Sequence, residues 1–259
     1  MHPLYAAPDF ADAARALAAR HGLDFLPLPP GEKPDTPHLL LDAEGLAFLE
    51  PQSRMRMRVD YLRGPSAYRL FAVGNSCEPL LAAMGLNKGA LKTRLAAGET
   101  PFILDAGAGL GRDGLVMAAA GARVLMCERS PVMAALLADG LARAAEDEKL
   151  GPVIRERLEL HCGDAREILE NRGEEFTAVY FDPMFPERRK TALVKKEMRL
   201  ARLLSGDDDD APALLALARA HAPQVVVKRP LHAEELSPGV RRSVKGTRVR
   251  YDIYGTANG

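Results

Sequence analysis

The sequence predicts an α/β fold, a parallel sheet covered on both faces by helices, preceded by a small α+β extension. Three observations carry that expectation. From about residue 102 onward, short apolar runs alternate with helix-length amphipathic segments, the pattern of strand–helix–strand units. The first such strand, Ile103-Leu104-Asp105, runs straight into Ala106-Gly107-Ala108-Gly109-Leu110-Gly111-Arg112-Asp113-Gly114, a glycine-rich turn that opens a helix. The first sixty residues show neither feature, only short alternating runs and one alanine-rich helix.

Taken in order, residues 9–22 read as a helix capped by Asp9 and ended by Gly22. Proline and glycine make 27–37 a loop. The runs at 39–42 and 46–49 flank Ala43-Glu44-Gly45 and predict a hairpin. Residues 54–61 alternate with period two and predict a half-buried strand, and 78–84 a helix before Gly85. The core then follows: strand 103–105, helix 115–120, strand 123–128, helix 132–145, strand 158–161, short helix 165–169 and the apolar strand 176–181. A charged segment leads to helix 212–221, strand 225–228 and strand material at 248–254. The run Asp207–Asp210 predicts a solvated loop whose negative charge suits the start of the next helix. The expected division is therefore residues 1–60 as extension and 61–259 as the main domain.

Composition bounds the function. The chain has 259 residues, 47% hydrophobic and 27% charged, enough for a sizeable core. Thirty-five basic residues balance thirty-five acidic ones, so attraction to a polyanion must come from local clusters. Cys77, Cys127 and Cys162 form no Cys-x-x-Cys pair, which argues against a disulfide framework or zinc site and for a reducing cytoplasm. Cys127 and Cys162, lying in strand-like runs, are expected to be buried. The N-terminus reads as no secretory signal, no run is long enough to cross a bilayer, and no metal is expected.

The glycine turn admits two cofactors. Gly109-Leu110-Gly111-Arg112-Asp113-Gly114 fits the dinucleotide pattern, with Glu128 nineteen residues past Gly109 as a ribose acid. The turn alone leaves NAD or FAD nearly level with S-adenosylmethionine (SAM). Three details favour SAM. Asp105 opens an Asp-x-Gly-x-Gly-x-Gly run, where a carboxylate would repel a pyrophosphate but can pair with the methionine ammonium. Asp113 stands where a helix N-terminus would otherwise welcome phosphate. Glu128 and Asp164 end the next two strands, placed to take the ribose hydroxyls and the adenine amine. Asp182 ends the fourth, and the carboxyl edge of such a sheet is where ligands bind.

Asp182-Pro183-Met184-Phe185-Pro186 resembles the Asp-Pro-Pro-Tyr type motif of enzymes that methylate nucleobase amines. Such an amine is a poor nucleophile. Asp182 and the Pro183 carbonyl can accept its two hydrogens, and Phe185 can stack on the base, a contact worth about 1–3 kcal/mol. The plain alternative is a strand-to-loop turn, and the neighbouring glycine site is what argues against it. The segment 187–199 then carries Arg188, Arg189, Lys190, Lys195, Lys196 and Arg199 against Glu187 and Glu197, and 228–250 carries seven more Lys/Arg, beginning with Lys228 and Arg229. These predict a basic rim for RNA phosphates. Rival functions are methylation of a small molecule or protein amide by the same site, and an RNA-binding assembly factor without catalysis.

Asp105–Asp113, Glu128-Arg129-Ser130-Pro131-Val132, Asp182–Pro186, Ala192-Leu193-Val194-Lys195-Lys196-Glu197-Met198-Arg199, 225–230 and Tyr251-Asp252-Ile253-Tyr254 together resemble the bacterial ribosomal RNA small subunit methyltransferase J family. The likeness spans roughly 59–256. It implies a Rossmann-like class I SAM-dependent methyltransferase acting on the N2 amine of one guanine in 16S ribosomal RNA. It further implies SAM contacts at Arg112, Asp113, Glu128, Arg129, Asp164, Ala165 and Asp182. Two departures stand out. The family usually has threonine at Gly107, and a basic glycine-rich stretch of its members is represented by the less basic 68–78.

Overall fold

The computed structural model describes residues 2–29, 31–63, 78–183, 204 and 209–256. Two sheets organise them. The N-terminal one is built from β1 (Leu4–Ala6), β2 (Phe25–Pro27), β3 (His38–Asp42), β4 (Gly45–Glu50) and β5 (Met55–Met57), in the order β2-β1-β3-β4-β5. Between β1 and β2 runs α1 (Ala11–His21), which stops where Gly22 turns left-handed at φ +63°. The hairpin expected around Ala43-Glu44-Gly45 is β3–β4, paired antiparallel from His38↔Leu49 to Asp42↔Gly45.

The second sheet contains β6 (Phe102–Asp105), β7 (Arg123–Glu128), β8 (Leu158–Cys162), β9 (Ala178–Phe181), β10 (Gln224–Pro230), β11 (Arg242–Lys245) and β12 (Val249–Gly255). Its order is β11-β12-β10-β9-β6-β7-β8. The strands from β10 across to β8 are parallel, while β12 and β11 pair antiparallel at the far edge. The chain starts at β6 and steps outward to β7 and β8, then returns to β9 on the other side. That reversal between β6 and β9 opens a crevice at the carboxyl ends of the strands. The α/β expectation is met, but the sheet is mixed rather than purely parallel, because β12 and β11 add an antiparallel edge.

Helices α2 (Pro79–Ala83), α3 (Lys88–Ala96), α4 (Arg112–Ala120), α5 (Pro131–Ala144), α6 (Leu150–Arg157), α7 (Ala165–Arg172) and α8 (Ala211–His221) pack around these sheets. Helix α5 starts sharply because Pro131 follows Ser130, whose side chain accepts from Met133 N–H. It also joins the two sheets. Leu136 and Leu137 share one apolar cluster with Leu4, Leu39, Leu46 and Phe48, Gly140 lies against Val59, and Arg143 donates to the Val59 carbonyl.

Several elements depart from expectation. Helix α3 buries only Leu91, so it leaves no apolar stripe to read. Helix α6 carries Gly151 and Pro152 in its first turn, where proline is tolerated but the pair reads as a break. The strand expected over 54–61 is only Met55–Met57, because beyond it the chain leaves the sheet toward α5. Cys127 is buried as expected, but Cys162 is exposed, since β8 is an edge strand. Among the described residues no helix is long and apolar enough to cross a membrane.

Candidate active site

The four acids expected at strand ends meet in one cleft. Asp105, Gly107, Gly109, Arg112, Asp113, Glu128, Arg129, Asp164, Ala165, Asp182 and Pro183 all line it, with Tyr180, Asp210 and Lys228. Strands β6 and β9 are direct neighbours, Asp105 lying opposite Tyr180, so the glycine turn and the Asp182-Pro183 turn leave the same edge side by side.

The turn is shaped by what lies beneath it. Gly111 has φ +66°, and a Cβ there would sit 2.5 Å from both Leu137 Cδ1 and the Tyr61 hydroxyl. Tyr61 is itself buried and donates to the Leu110 carbonyl at 2.8 Å. Gly111 is therefore required by the core packed under the turn. Gly114 lets α4 approach β6, for its Cβ would meet Asp105 Oδ2 at 2.8 Å. At Gly107 a Cβ meets nothing within 4 Å, so the departure from threonine leaves the turn undisturbed.

Asp105 is almost fully buried, and neither of its oxygens has a hydrogen-bond partner among the described residues. Burial, then the charges of Asp113, Asp182 and Glu128, raise its pKa well above the ordinary carboxylate value; Lys228 opposes them. Glu128 is buried too. Its Oε2 accepts from Gly109 N–H at 2.9 Å and its Oε1 from Ser130 N–H at 2.8 Å, so the acid ties its own strand to the turn. Asp164 caps α7 and is held by Arg166, which keeps its pKa below the usual range.

Three residues escaped the sequence. Tyr180 is buried, its hydroxyl kept protonated by burial and the nearby Asp113 and Asp182, and it donates to Asp113 Oδ2 at 2.5 Å. Asp210 was expected to serve the start of α8; it makes no side-chain cap. Instead it pairs with Arg129 at 3.2 Å and Arg166 at 3.6 Å, bridging the rim of the cleft. Tyr61, the third, supports the turn from below.

Two expected phosphate contacts are corrected. Lys228 Nζ lies 2.7 Å from Asp182 Oδ2 and 3.0 Å from Asp113 Oδ2, inside the cleft. Arg229 is buried and donates through Nε to the Glu234 carbonyl. Lys228 is thus engaged by two carboxylates of the cleft and Arg229 is buried, so neither is presented as a free cation at the surface. The exposed cations of that region are Arg241, Arg242, Lys245 and Arg248. Met184, Phe185, Pro186, Arg188, Arg189, Lys190, Lys195, Lys196, Arg199 and Cys77 lie outside the described residues.

With the geometry in place, comparison with known proteins is direct. A family model described as "Putative SAM-dependent methyltransferase" matches residues 23–256. A solved SAM-dependent methyltransferase from Neisseria gonorrhoeae superposes with a TM-score of 0.74 at 26% identity, covering 99% of this chain and 97% of that one. The protein named ribosomal RNA small subunit methyltransferase J in Thioalkalivibrio sulfidiphilus is 45% identical, over 97% of this chain and 96% of its own. Its namesake in Pseudomonas paraeruginosa is 44% identical over 98% and 94%. This chain belongs to the ribosomal RNA small subunit methyltransferase J family. Membership brings the Rossmann-like class I fold and SAM as cofactor.

The residues fit that cofactor. A buried carboxylate facing the cleft without a protein donor is suited to a ligand ammonium, and Asp105 is one. Glu128, fixed by two backbone N–H groups, keeps lone pairs for ribose hydroxyls. Ala165, at the start of α7, offers the small surface that a flat adenine needs. With SAM bound, the Asp105 carboxylate would be placed to hold the methionine end and Glu128 the ribose.

Proposed function

We propose that this chain transfers the methyl group of SAM to the exocyclic N2 amine of a guanine in 16S ribosomal RNA. The observation that carries the proposal is the placement of Asp182 and Pro183 on the strand next to Asp105, in one cleft. The names of the relatives supply the substrate class, and the acceptor motif supplies the amine. Bound SAM would supply a sulfonium-activated methyl carbon for the amine nitrogen, with the thioether as leaving group.

The protein's part is alignment, which can supply ~7–11 kcal/mol of the barrier. Asp182 Oδ1 and the Pro183 carbonyl accept the two amine hydrogens, which fixes the nitrogen lone pair toward the methyl and leaves a path for the proton lost afterward. Phe185 is assigned the stacking role by the motif. Arg188, Arg189, Lys190, Lys195, Lys196 and Arg199 are assigned phosphates; Lys228 and Arg229 no longer are. Residues 1–60 are assigned to the α+β extension and 61–259 to the catalytic domain, with 16S RNA or the small subunit as partner in the cytoplasm.

The test uses small subunits and naked 16S RNA from cells lacking the protein, with labelled SAM. Nucleoside digestion is expected to place the label in N2-methylguanosine, and Asp182→Ala to abolish transfer while RNA binding persists. Label in another nucleoside, or wild-type turnover by the variant, overturns the assignment.

A further inference from the structure

We propose that Lys228 is a positioning residue for methyl transfer, bridging the acceptor carboxylate Asp182 to Asp113 on the cofactor-binding helix. The inference deepens the proposed function and rests on it. Its ground is the placement of one ammonium among three parts of the fold.

Strand β10 lies beside β9 with Val227 opposite Phe181, so Lys228 comes next to Asp182, one residue beyond the paired strands. Its Nζ is 2.7 Å from Asp182 Oδ2. The same nitrogen is 3.0 Å from Asp113 Oδ2, in the first turn of α4, which follows β6. Lys228 thus connects the acceptor turn after β9 to the helix after β6, across the point where strand order reverses.

Electrostatics explains why the connection is needed. Asp105, Asp113, Asp182 and Glu128 crowd one another, as their joint upward push on Asp105 records. Asp182 is the most exposed of the carboxylates in that cluster that pair with Lys228, its side chain 42% accessible against 11% for Asp113. Repulsion from buried acids would swing it outward, away from the methyl donor. Lys228 counters that push. Burial alone would lower its pKa, but Asp182 and Asp113 more than reverse the shift, so the ammonium stays charged. By holding Oδ2, Lys228 fixes the carboxylate that the proposed function sets against the amine. An ammonium distributes three donors in a tetrahedral fan and can serve two carboxylates at once; a planar guanidinium matches one carboxylate face to face.

Asp113 also receives the Tyr180 hydroxyl, so loss of Lys228 should disturb Asp182 more than the cofactor helix. The experiment measures Lys228→Met and Lys228→Arg for melting temperature, SAM affinity by calorimetry, and kcat and KM on small-subunit RNA across pH. Lys228→Met is expected to lower kcat by about 100-fold, the cost of an acceptor displaced by roughly 1 Å. KM for RNA and the SAM Kd should move by less than about threefold, an effect below ~0.7 kcal/mol. The acidic limb of its kcat profile should shift to higher pH because the cation beside Asp182 is gone. Lys228→Arg keeps a cation and should leave that limb in place while kcat falls. Wild-type kcat in Lys228→Met, or a loss confined to SAM affinity, overturns the proposal. Should Lys228→Met not fold, an unshifted limb with wild-type kcat in Lys228→Arg and Lys228→Gln does so. A wild-type enzyme that leaves small-subunit RNA unmethylated overturns the function itself, independently of Lys228.

Discussion

Replacing Asp105 by asparagine should make the ligand-free protein more stable and the SAM-bound protein weaker. Both oxygens of this buried carboxylate lack a hydrogen-bond partner among the described residues. An unsatisfied buried polar group costs about 1–3 kcal/mol, and more when charged. A neutral amide of the same shape should recover about 1–2 kcal/mol, and in a chain of this size that raises Tm by roughly 2–8 °C. The pH dependence has a definite sign. The pKa of Asp105 is raised in the folded state, first by burial and then by Asp113, Asp182 and Glu128. Stability tied to this group is therefore complete below the ordinary carboxylate pKa and falls as pH rises toward the folded value. The advantage of Asp105→Asn should vanish in acid and grow upward from there. With ligand the order reverses. A hydrogen bond to a charged group is worth about 1.5–3 kcal/mol, so SAM affinity should drop by about 10- to 150-fold. Scanning fluorimetry with and without SAM, from pH 4 to 8 by choice of buffer, reads all of this. A variant less stable than wild type without ligand at neutral pH, or one with an undiminished SAM-induced shift, would refute the reasoning.

Other expectations follow from contacts around the cleft. Gly111→Ala forces a Cβ to within 2.5 Å of Leu137 and Tyr61; overpacking of this kind costs about 1–3 kcal/mol, read as a lowered denaturant midpoint. Gly107→Ala meets nothing within 4 Å and should change stability by less than about 0.5 kcal/mol in the same assay. Lys245 and Arg248 are exposed at the turn between β11 and β12, where Lys245 pairs with Arg250 and Arg250 with Arg229. That register puts the turn on the same edge as the cleft, about 10 Å from β10 at two strand spacings. Replacing both by alanine should reduce the slope of log K against log salt for single-stranded RNA by about 1.4; an unchanged slope removes them from the RNA path.

How much of this was legible depended on where each residue's partner lies. The Asp105-to-Gly114 run declared itself because its constraints are local: a strand end, left-handed glycines and a helix start within ten positions. Glu128 and Asp164 were legible as strand ends. Lys228 was misread because a Lys-Arg pair after three valines looks like the exposed end of a strand. Its partner Asp113 is 115 residues away. Tyr180 reaches Asp113 across 67 residues, Tyr61 reaches Leu110 across 49, and Asp210 reaches Arg129 across 81. None of these pairings leaves a periodic trace. For Lys228 the deciding fact is the strand order: β10 lies between β9 and β12, and in an interior strand of a covered sheet a lysine needs carboxylates of its own.

Charge also separates the two cofactor readings that the turn alone left nearly level. Six carboxylates line the cleft, Asp105, Asp113, Glu128, Asp164, Asp182 and Asp210, against Arg112, Arg129, Arg166 and Lys228. Of these cations, Arg129 and Arg166 are engaged by Asp210 and Asp164 at the rim, and Lys228 by Asp113 and Asp182. The formal excess is two negative charges, concentrated around the end of β6. A dinucleotide would bring a pyrophosphate to that point and meet repulsion from Asp105 and Asp113 in a low-dielectric recess. SAM brings an ammonium and a sulfonium against a single carboxylate, a net positive ligand for a net negative recess. The acids that make the turn a poor phosphate cradle are thus the ones that make it a site for a cationic methyl donor, and Lys228 prevents that same negative field from expelling Asp182.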